Sequence, residues 1–324
     1  MRTTLVRAVL ALTAGALLPA TLAAPALAQS LPDPESWCHS KWGAEDEIGA
    51  GNLLTPELAM EAAKLVTTGK VYSLGAETNS KTPAFGPRSW ALVINQPSQV
   101  GGAGLGQNKM NYNDDIYMGY VGTGSQIDGL GHIGIDNVYY NCHKNTDFVG
   151  ADGLKVLGIE TVPNIVTRGI VLDMTAHFGK DVLDEGTAFN TAEIEAQAAK
   201  QGVEIREGDV VLFHTGWLSL SGVDNARYIA AEPGLGVEGA QYLVDKGVVA
   251  VGADTWGLEV IPFEEEGQVF EVHQILIPKN GVYILENMVT DQLVADEAWE
   301  FMFVLGASKF TGGVQAIINP TAIR

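Results

Sequence analysis

The chain of 324 residues carries 19 Lys and Arg against 39 Asp and Glu, a formal net charge of −20 at pH 7. That surplus of acid repels phosphate backbones and anionic bilayers, which argues against a nucleic-acid partner and against adsorption to a charged membrane surface. At 46% hydrophobic content the length suffices for one large core, and no Pro/Ser-rich linker, charge block or repeat divides it.

The N-terminus sets the expected compartment. Arg2 and Arg7 precede an apolar run from Ala8 to Ala23, and Ala26-Leu27-Ala28 fits the small-x-small rule for cleavage before Gln29. Residues 1–28 therefore read as a signal peptide and 29–324 as one domain, periplasmic or secreted. No later apolar run approaches the roughly 20 residues of a membrane span. Cleavage removes two Arg and no acid, leaving 17 basic against 39 acidic side chains, a charge of −22. An oxidising compartment permits Cys38 and Cys142 to pair, although the sequence leaves their proximity open.

Farther along, Thr55-Pro56-Glu57 supplies an N-cap, a proline at the first helical position and an early acid, predicting a helix through Val66. Trp90–Asn95 reads as a buried strand. The Gly-rich stretch Gly101–Gly106 follows it without opening a helix, so it lacks the helix N-terminus that a phosphate-binding loop needs. Further buried strands are expected at Gly169–Met174, Asp209–His214, Gly247–Gly252, Gly281–Leu285, Phe301–Leu305 and Val314–Ile318. Helices are expected from Asn190 or Thr191 to about Gln201, and over Val237–Lys246 with Gly247 as the stop. The pattern predicts an α/β fold with a mixed, strand-rich sheet and without the regular strand–helix alternation of a doubly wound sheet.

Two segments carry candidate chemistry. In Gly122-Thr-Gly-Ser-Gln-Ile-Asp-Gly-Leu-Gly-His132 an extended chain puts Gln126 and Asp128 on one face, and the glycines let His132 turn back toward them. His273, in Phe-Glu-Val-His-Gln-Ile-Leu-Ile, and Glu286, closing Val-Tyr-Ile-Leu-Glu, interrupt apolar stretches; a carboxylate at a buried strand end is costly unless paired or metal-bound. One Asp, one His and one Glu with a position left for water make a reasonable set of ligands for Zn²⁺ or Mn²⁺. Each also has a structural reading: Asp128 before Gly129 as a turn residue, His132 as a core histidine. His214 ends a strand and has no carboxylate partner nearby in sequence. Arg88 suits a substrate carboxylate, and Trp90 an apolar wall beside it.

The order of these segments resembles the cyclase family, which includes kynurenine formamidase-like metal-dependent hydrolases. Trp42-Gly-Ala-Glu-Asp-Glu-Ile-Gly-Ala-Gly-Asn-Leu-Leu-Thr-Pro56 looks like its opening signature, and Gly124-Ser-Gln-Ile-Asp-Gly-Leu-Gly-His132 resembles its His-x-Gly-Thr-His-x-Asp-x-x-x-His motif. Val211-Leu-Phe-His-Thr-Gly-Trp217, Gly252-Ala-Asp254 and the His273 to Asn287 segment follow in order. The resemblance implies a swivelling β/β/α single domain, a homodimer or homotetramer, and a small carbonyl substrate. It also implies Asp128, His273 and Glu286 as metal ligands and His132 as acid/base. Gly122 and Gln126 stand where the motif has histidines, which implies one divalent ion per chain instead of two. Gln126 is then expected to donate to an oxyanion or orient water. Hydrolysis of a small ester or lactone, a dienelactone-type ring among them, by a metal-activated water is the leading expectation. Arylformamidase-like amide hydrolysis and a non-catalytic exported binding protein are the alternatives.

Overall fold

The computed structural model describes residues 32–95 and 101–324, so the expected signal peptide lies outside the described residues. The predicted helices form for the predicted reasons. In α1 (Pro56–Ala63) the Thr55 hydroxyl accepts from Leu58 N at 3.3 Å and Pro56 opens the first turn. The helix stops at Ala63, three residues early, because Lys64, Leu65 and Val66 close with i→i+3 bonds to Glu61, Ala62 and Ala63. Helix α2 (Thr191–Gln201) is started by a capping box between Asn190 and Glu193 and stopped by Gly202 at φ 72°. Helix α3 (Val237–Asp245) ends before Gly247, also at positive φ. A four-residue helix, α4 (Glu271–Gln274), carries His273 and runs into a π turn at Ile275–Lys279.

In chain order the strands are β1 (Val71–Ser73), β2 (Trp90–Asn95), β3 (Asp114–Gly119), β4 (Gln126–Asp128), β5 (Ile165–Asp173) and β6 (Val210–His214). They continue with β7 (Ala250–Ala253), β8 (Tyr283–Glu286), β9 (Glu300–Leu305), β10 (Gln315–Ile317) and β11 (Thr321–Ile323). Nine of them form one mixed sheet in the order β1-β11-β9-β5-β6-β7-β8-β4-β10. Its centre, β5 to β8, is parallel, and the flanking pairs are antiparallel. Central strands covered on both faces read as continuous apolar runs, and Val171, Leu172, Val210, Val211, Leu212, Val251, Ile284 and Leu285 are fully buried.

Two expectations need correction. Between residues 165 and 286 strands and helices do alternate, with Met174–Phe178 and α2 joining β5 to β6, α3 joining β6 to β7, and α4 preceding β8. Three of these strands are only four or five residues long, and the long loops between them hide the alternation. The second correction concerns Trp90–Asn95, which is a strand but not a buried one. It pairs only with β3 in a separate two-stranded ribbon, and Leu92, Val93, Ile94, Ile116 and Met118 are exposed. An unbroken apolar run does not distinguish a central strand from an arm that leaves its apolar side chains uncovered.

Cys38 and Cys142 form a disulfide with their Cα atoms 4.9 Å apart. Beside it Asn141 donates to the carbonyls of Gly43, Ala44 and Asp46, and Tyr140 Oη donates to Asp46 Oδ2 at 2.5 Å. The segment before α1 is thereby fastened to the loop that follows His132. Among the described residues no helix is long and apolar enough to cross a membrane.

Candidate metal centre and substrate cleft

Antiparallel register places the candidate ligands. Gln126 of β4 stands opposite Glu286 of β8, and Asp128 stands opposite Ile284 on one side and Gln315 of β10 on the other. Side chains paired across strands share a face, so Gln126, Asp128, Glu286 and Gln315 all project to the same side. Helix α4 brings His273 onto that side. One donor atom from each of Asp128, His273 and Glu286 then lies within 4.8 Å of the others, and all three residues are buried. His273 Nε2 is 3.4 Å from Glu286 Oε1 and 3.9 Å from Asp128 Oδ2.

The two carboxylates differ in how far they are engaged, Glu286 meeting His273 Nε2 at Oε1 as well as Gln126 at Oε2. Gln315 Nε2 donates to Asp128 Oδ1 at 2.7 Å, and Gln126 Nε2 donates to Glu286 Oε2. Asp128 Oδ2, by contrast, is buried with no donor at all. The amide of Gln126 is thus spent on Glu286 and does not face the cleft as the oxyanion donor expected from sequence.

Glu259 was not singled out by the sequence reading. Its Oε1 accepts from His273 Nδ1 at 2.6 Å, and its carboxylate also receives the backbone N–H groups of Val272 and His273 at 3.2 and 3.5 Å. A carboxylate on Nδ1 fixes the tautomer that leaves Nε2 free to act as a ligand. The signal was available, because Glu259 is an acid between Leu258 and Val260, both buried, much as Glu286 ends an apolar strand.

Electrostatics follow from burial among like charges. Desolvation, with the charge of Asp128, pushes Glu286 up to about 7 against the pull of His273 and Arg88. Desolvation alone would lower His273, but the hydrogen bonds and charges of Glu259 and Glu286 prevail and raise it to about 10. Burial also lowers the pKa of His132, over the opposing attraction of Asp128 and with the help of His273 and Arg88. His132 Nε2 lies 4.0 Å from Asp128 Oδ2.

Above these groups opens a cleft of about 130 Å³ lined by Phe85, Arg88, His132, Ile133, Trp256, Gly257, Phe270, His273 and Glu286. Phe85 stacks on Trp256 with ring centroids 5.2 Å apart and planes 10° apart, and Phe270 meets Phe85 edge-on at 5.8 Å. Trp90, the expected apolar wall, is not among the lining residues. It sits at the base of the ribbon, and Phe85, Trp256 and Phe270 form the wall instead. Arg88 does line the cleft, with Nη1 donating to Gly122 O at 3.1 Å. Trp256 is positioned by Glu232, whose Oε2 accepts its backbone N–H at 2.8 Å. Full burial, then the charge of Glu286, raise the Glu232 pKa well above the ordinary carboxyl value.

The residues present fit a divalent ion. An acceptor buried without a donor costs on the order of 1–3 kcal/mol, more when charged, and Asp128 Oδ2 is such an acceptor facing two further donors of the types that Zn²⁺ and Mn²⁺ take. Asp128 Oδ2, His273 Nε2 and Glu286 Oε1 are the atoms that would hold it. A second trio, Cys38, His39 and Cys142, offers no thiolate because both sulfurs are in the disulfide. His214 does not reach the cleft. It lines a separate cavity of about 220 Å³, where its Nδ1 lies 2.8 Å from Thr290 Oγ1 and 3.5 Å from Asp254 Oδ2, so β7 brings the carboxylate partner that its local sequence lacks.

Comparison with known proteins identifies the family and the fold. The profile of the family described as "Putative cyclase" matches residues 72–260. The crystal structure of a novel cyclase superposes with a TM-score of 0.80 at 27% identity, covering 89% of this chain and 99% of that one. Isatin hydrolase A from Ralstonia solanacearum superposes with a TM-score of 0.61 at 19% identity, over 84% of this chain and 98% of that one. A predicted metal-dependent hydrolase from Bacillus stearothermophilus gives 0.52 at 19%, over 79% and 98%. No curated protein matches the sequence significantly.

Proposed function

The chain belongs to the cyclase family, and from that premise we propose that it is a metal-dependent hydrolase of a small ester or lactone. The observation that carries the reading is the donor-free Asp128 Oδ2, buried beside His273 and Glu286 at the floor of an aromatic-walled cleft. A divalent ion, Zn²⁺ or Mn²⁺ and one per chain in this reading, supplies a lowered pKa for water and polarises a carbonyl.

The chain's own residues do the rest. His132, kept neutral near pH 7 by burial, takes the proton of the attacking water and returns it to the leaving oxygen. Arg88 presents a fixed positive charge to the oxygen that gains negative charge, or to the carboxylate released. Trp256 lines the cleft with its ring stacked on Phe85 and gives the substrate a flat apolar face. The cleft, at about 130 Å³, has room for a small aromatic or cyclic substrate.

The flat Phe85–Trp256 face favours a second reading, a planar cyclic amide. The fold is shared with isatin hydrolases, and isatin is such a ring. Both readings are tested by incubating the purified chain with small lactones, aryl esters, isatin and N-formylkynurenine. Ring opening or ester cleavage that a chelator abolishes and Mn²⁺ or Zn²⁺ restores is the expected result. Bound metal with turnover of none of these compounds would overturn the hydrolase and favour an exported binding protein on the same scaffold.

We further propose that residues 1–28 are removed on export and that the chain works as a homodimer or homotetramer. The disulfide suits an oxidising compartment. The β2–β3 ribbon exposes large apolar side chains and pairs with no other strand among the described residues, and a patch of that kind is ordinarily covered. The occupant in this reading is a second copy. Intact mass and light scattering of the purified chain check both points. The expected results are a chain beginning at Gln29 and a mass at least twice that of the monomer, lost in Val93→Lys/Met118→Lys. A monomer retaining residues 1–28 would refute both.

A further inference from the structure

We infer that the cavity beside His214 is a second binding site, built for the hydroxyl group of a small neutral compound, a phenol or an alcohol with an apolar body. The site is independent of the metal-hydrolase reading, because His214 and Asp254 line a cavity of about 220 Å³ and neither lines the cleft of about 130 Å³ over the candidate metal centre. Its position follows from the sheet. His214 ends β6, Asp254 directly follows β7, and Thr290 lies in the loop that leaves β8. These three strands run parallel in one sheet, and the carboxyl ends of parallel strands are where open α/β sheets bind their ligands. The segments Val211–Trp217 and Gly252–Asp254 place none of their residues at the cleft, and here they come together.

The polar groups hold one another in a set arrangement. Asp254 Oδ1 accepts the Thr215 N–H at 2.8 Å and the Thr215 hydroxyl at 2.6 Å, which fixes the carboxylate and leaves its Oδ2 3.5 Å from His214 Nδ1. Thr290 Oγ1 lies 2.8 Å from the same nitrogen. A carboxylate on Nδ1 holds the proton there, so Nε2, which has no hydrogen-bond partner among the described residues, is the atom that the ring offers to the cavity. A neutral ring accepts at Nε2, and a protonated ring donates there. A hydroxyl answers both states, because it carries one O–H and two lone pairs, whereas an ammonium only donates and a carboxylate only accepts. Leu218 and Val289 supply an apolar wall for the rest of the molecule. Among the described residues the carboxylates and imidazole here form no trio of converging donor atoms like that of Asp128, His273 and Glu286, so an organic ligand fits the cavity better than a metal ion.

The test is proton NMR of the imidazole signals of the chain's 6 histidines, titrated with phenol and, as the counterpart without a hydroxyl, with toluene. His214→Gln, whose amide still reaches toward Asp254, identifies the His214 signal. Phenol is expected to move that signal saturably, and toluene to bind there about 3- to 10-fold more weakly, the worth of one hydrogen bond. Leu218→Trp fills the cavity from its apolar side while leaving Asp254 paired, and it should abolish the saturable shift, with a thermal melt to confirm folding. Because the phenol and toluene titrations need only the wild type, they decide the matter even where Leu218→Trp fails to fold. A His214 signal that phenol leaves unmoved, that toluene moves with equal affinity, or that phenol still moves in a folded Leu218→Trp would overturn the inference while leaving the hydrolase reading intact.

Discussion

His273→Ala is expected to bind no divalent ion and to lose about 10³- to 10⁵-fold in kcat, the several kcal/mol that water activation and carbonyl polarisation supply. The same loss is expected of Asp128→Ala. His132→Ala should lose about 10²- to 10⁴-fold, the range for one acid/base group, yet keep its metal, because the donor atoms that lie within 4.8 Å of one another come from Asp128, His273 and Glu286 and not from His132. Elemental analysis beside steady-state rates separates the two roles, and a metal-free His132→Ala would make His132 a ligand instead. The pH dependence has a definite sign. Without metal His273 keeps its proton up to about 10, and a ligand nitrogen must be deprotonated, so uptake releases a proton and weakens as pH falls. Affinity should drop about tenfold per pH unit between pH 9 and 7, and more steeply below the Glu286 value of about 7. Calorimetric titration in buffers of different ionisation enthalpy counts the protons; a pH-independent affinity would refute the assignment of Nε2.

The second large effect concerns stability. The Cys38–Cys142 bridge closes a loop with a sequence separation of 104, and cross-links of that span stabilise by up to about 4.7 kcal/mol in the chain-entropy model. Cys38→Ser/Cys142→Ser is therefore expected to melt about 8–15 °C lower than the oxidised wild type, at about 2–4 °C per kcal/mol for a chain of this size. Reducing agent should lower the wild type to the same point and leave the double variant unmoved. A difference under about 2 °C would mean that the hydrogen bonds of Asn141 and Asp46 hold the segment without the bridge. Neither cysteine lines the cleft, so kcat at 25 °C should change little.

Sequence and structure meet most closely where physics penalises the residue. His273 and Glu286 stand out because an ionisable group among apolar neighbours has few uses, Asp128 because it shares an extended face with Gln126, and the register of β4 on β8 with helix α4 beside it brings the three together. Glu259 obeys the same rule, standing between buried Leu258 and Val260, but only the fold brings it onto His273 Nδ1. Gln315 gave no signal, because a glutamine in an apolar strand becomes meaningful only opposite Asp128. Trp90 was placed in the site on its proximity to Arg88 in sequence. The chain turns between them, so Arg88 faces the cleft while Trp90 starts the ribbon, and Phe85, Trp256 and Phe270 arrive from segments that no local pattern connects. Caps and helix stops were legible because Thr55, Asn190 and Gly247 act on their immediate neighbours. The parallel centre was not, because strand order is decided by contacts distant in sequence.

Strand order also bears on how the chain matures. Strand β4 lies between β8 and β10, and β11 between β1 and β9, so early segments find their neighbours only among the last ones made. Asp128 leaves the ribosome 187 residues ahead of the Gln315 that holds its carboxylate. Pairings of such long range close late and slowly. A polypeptide interrupted before β10 thus holds all three candidate ligands while the Asp128 carboxylate still lacks the Gln315 amide that fixes it.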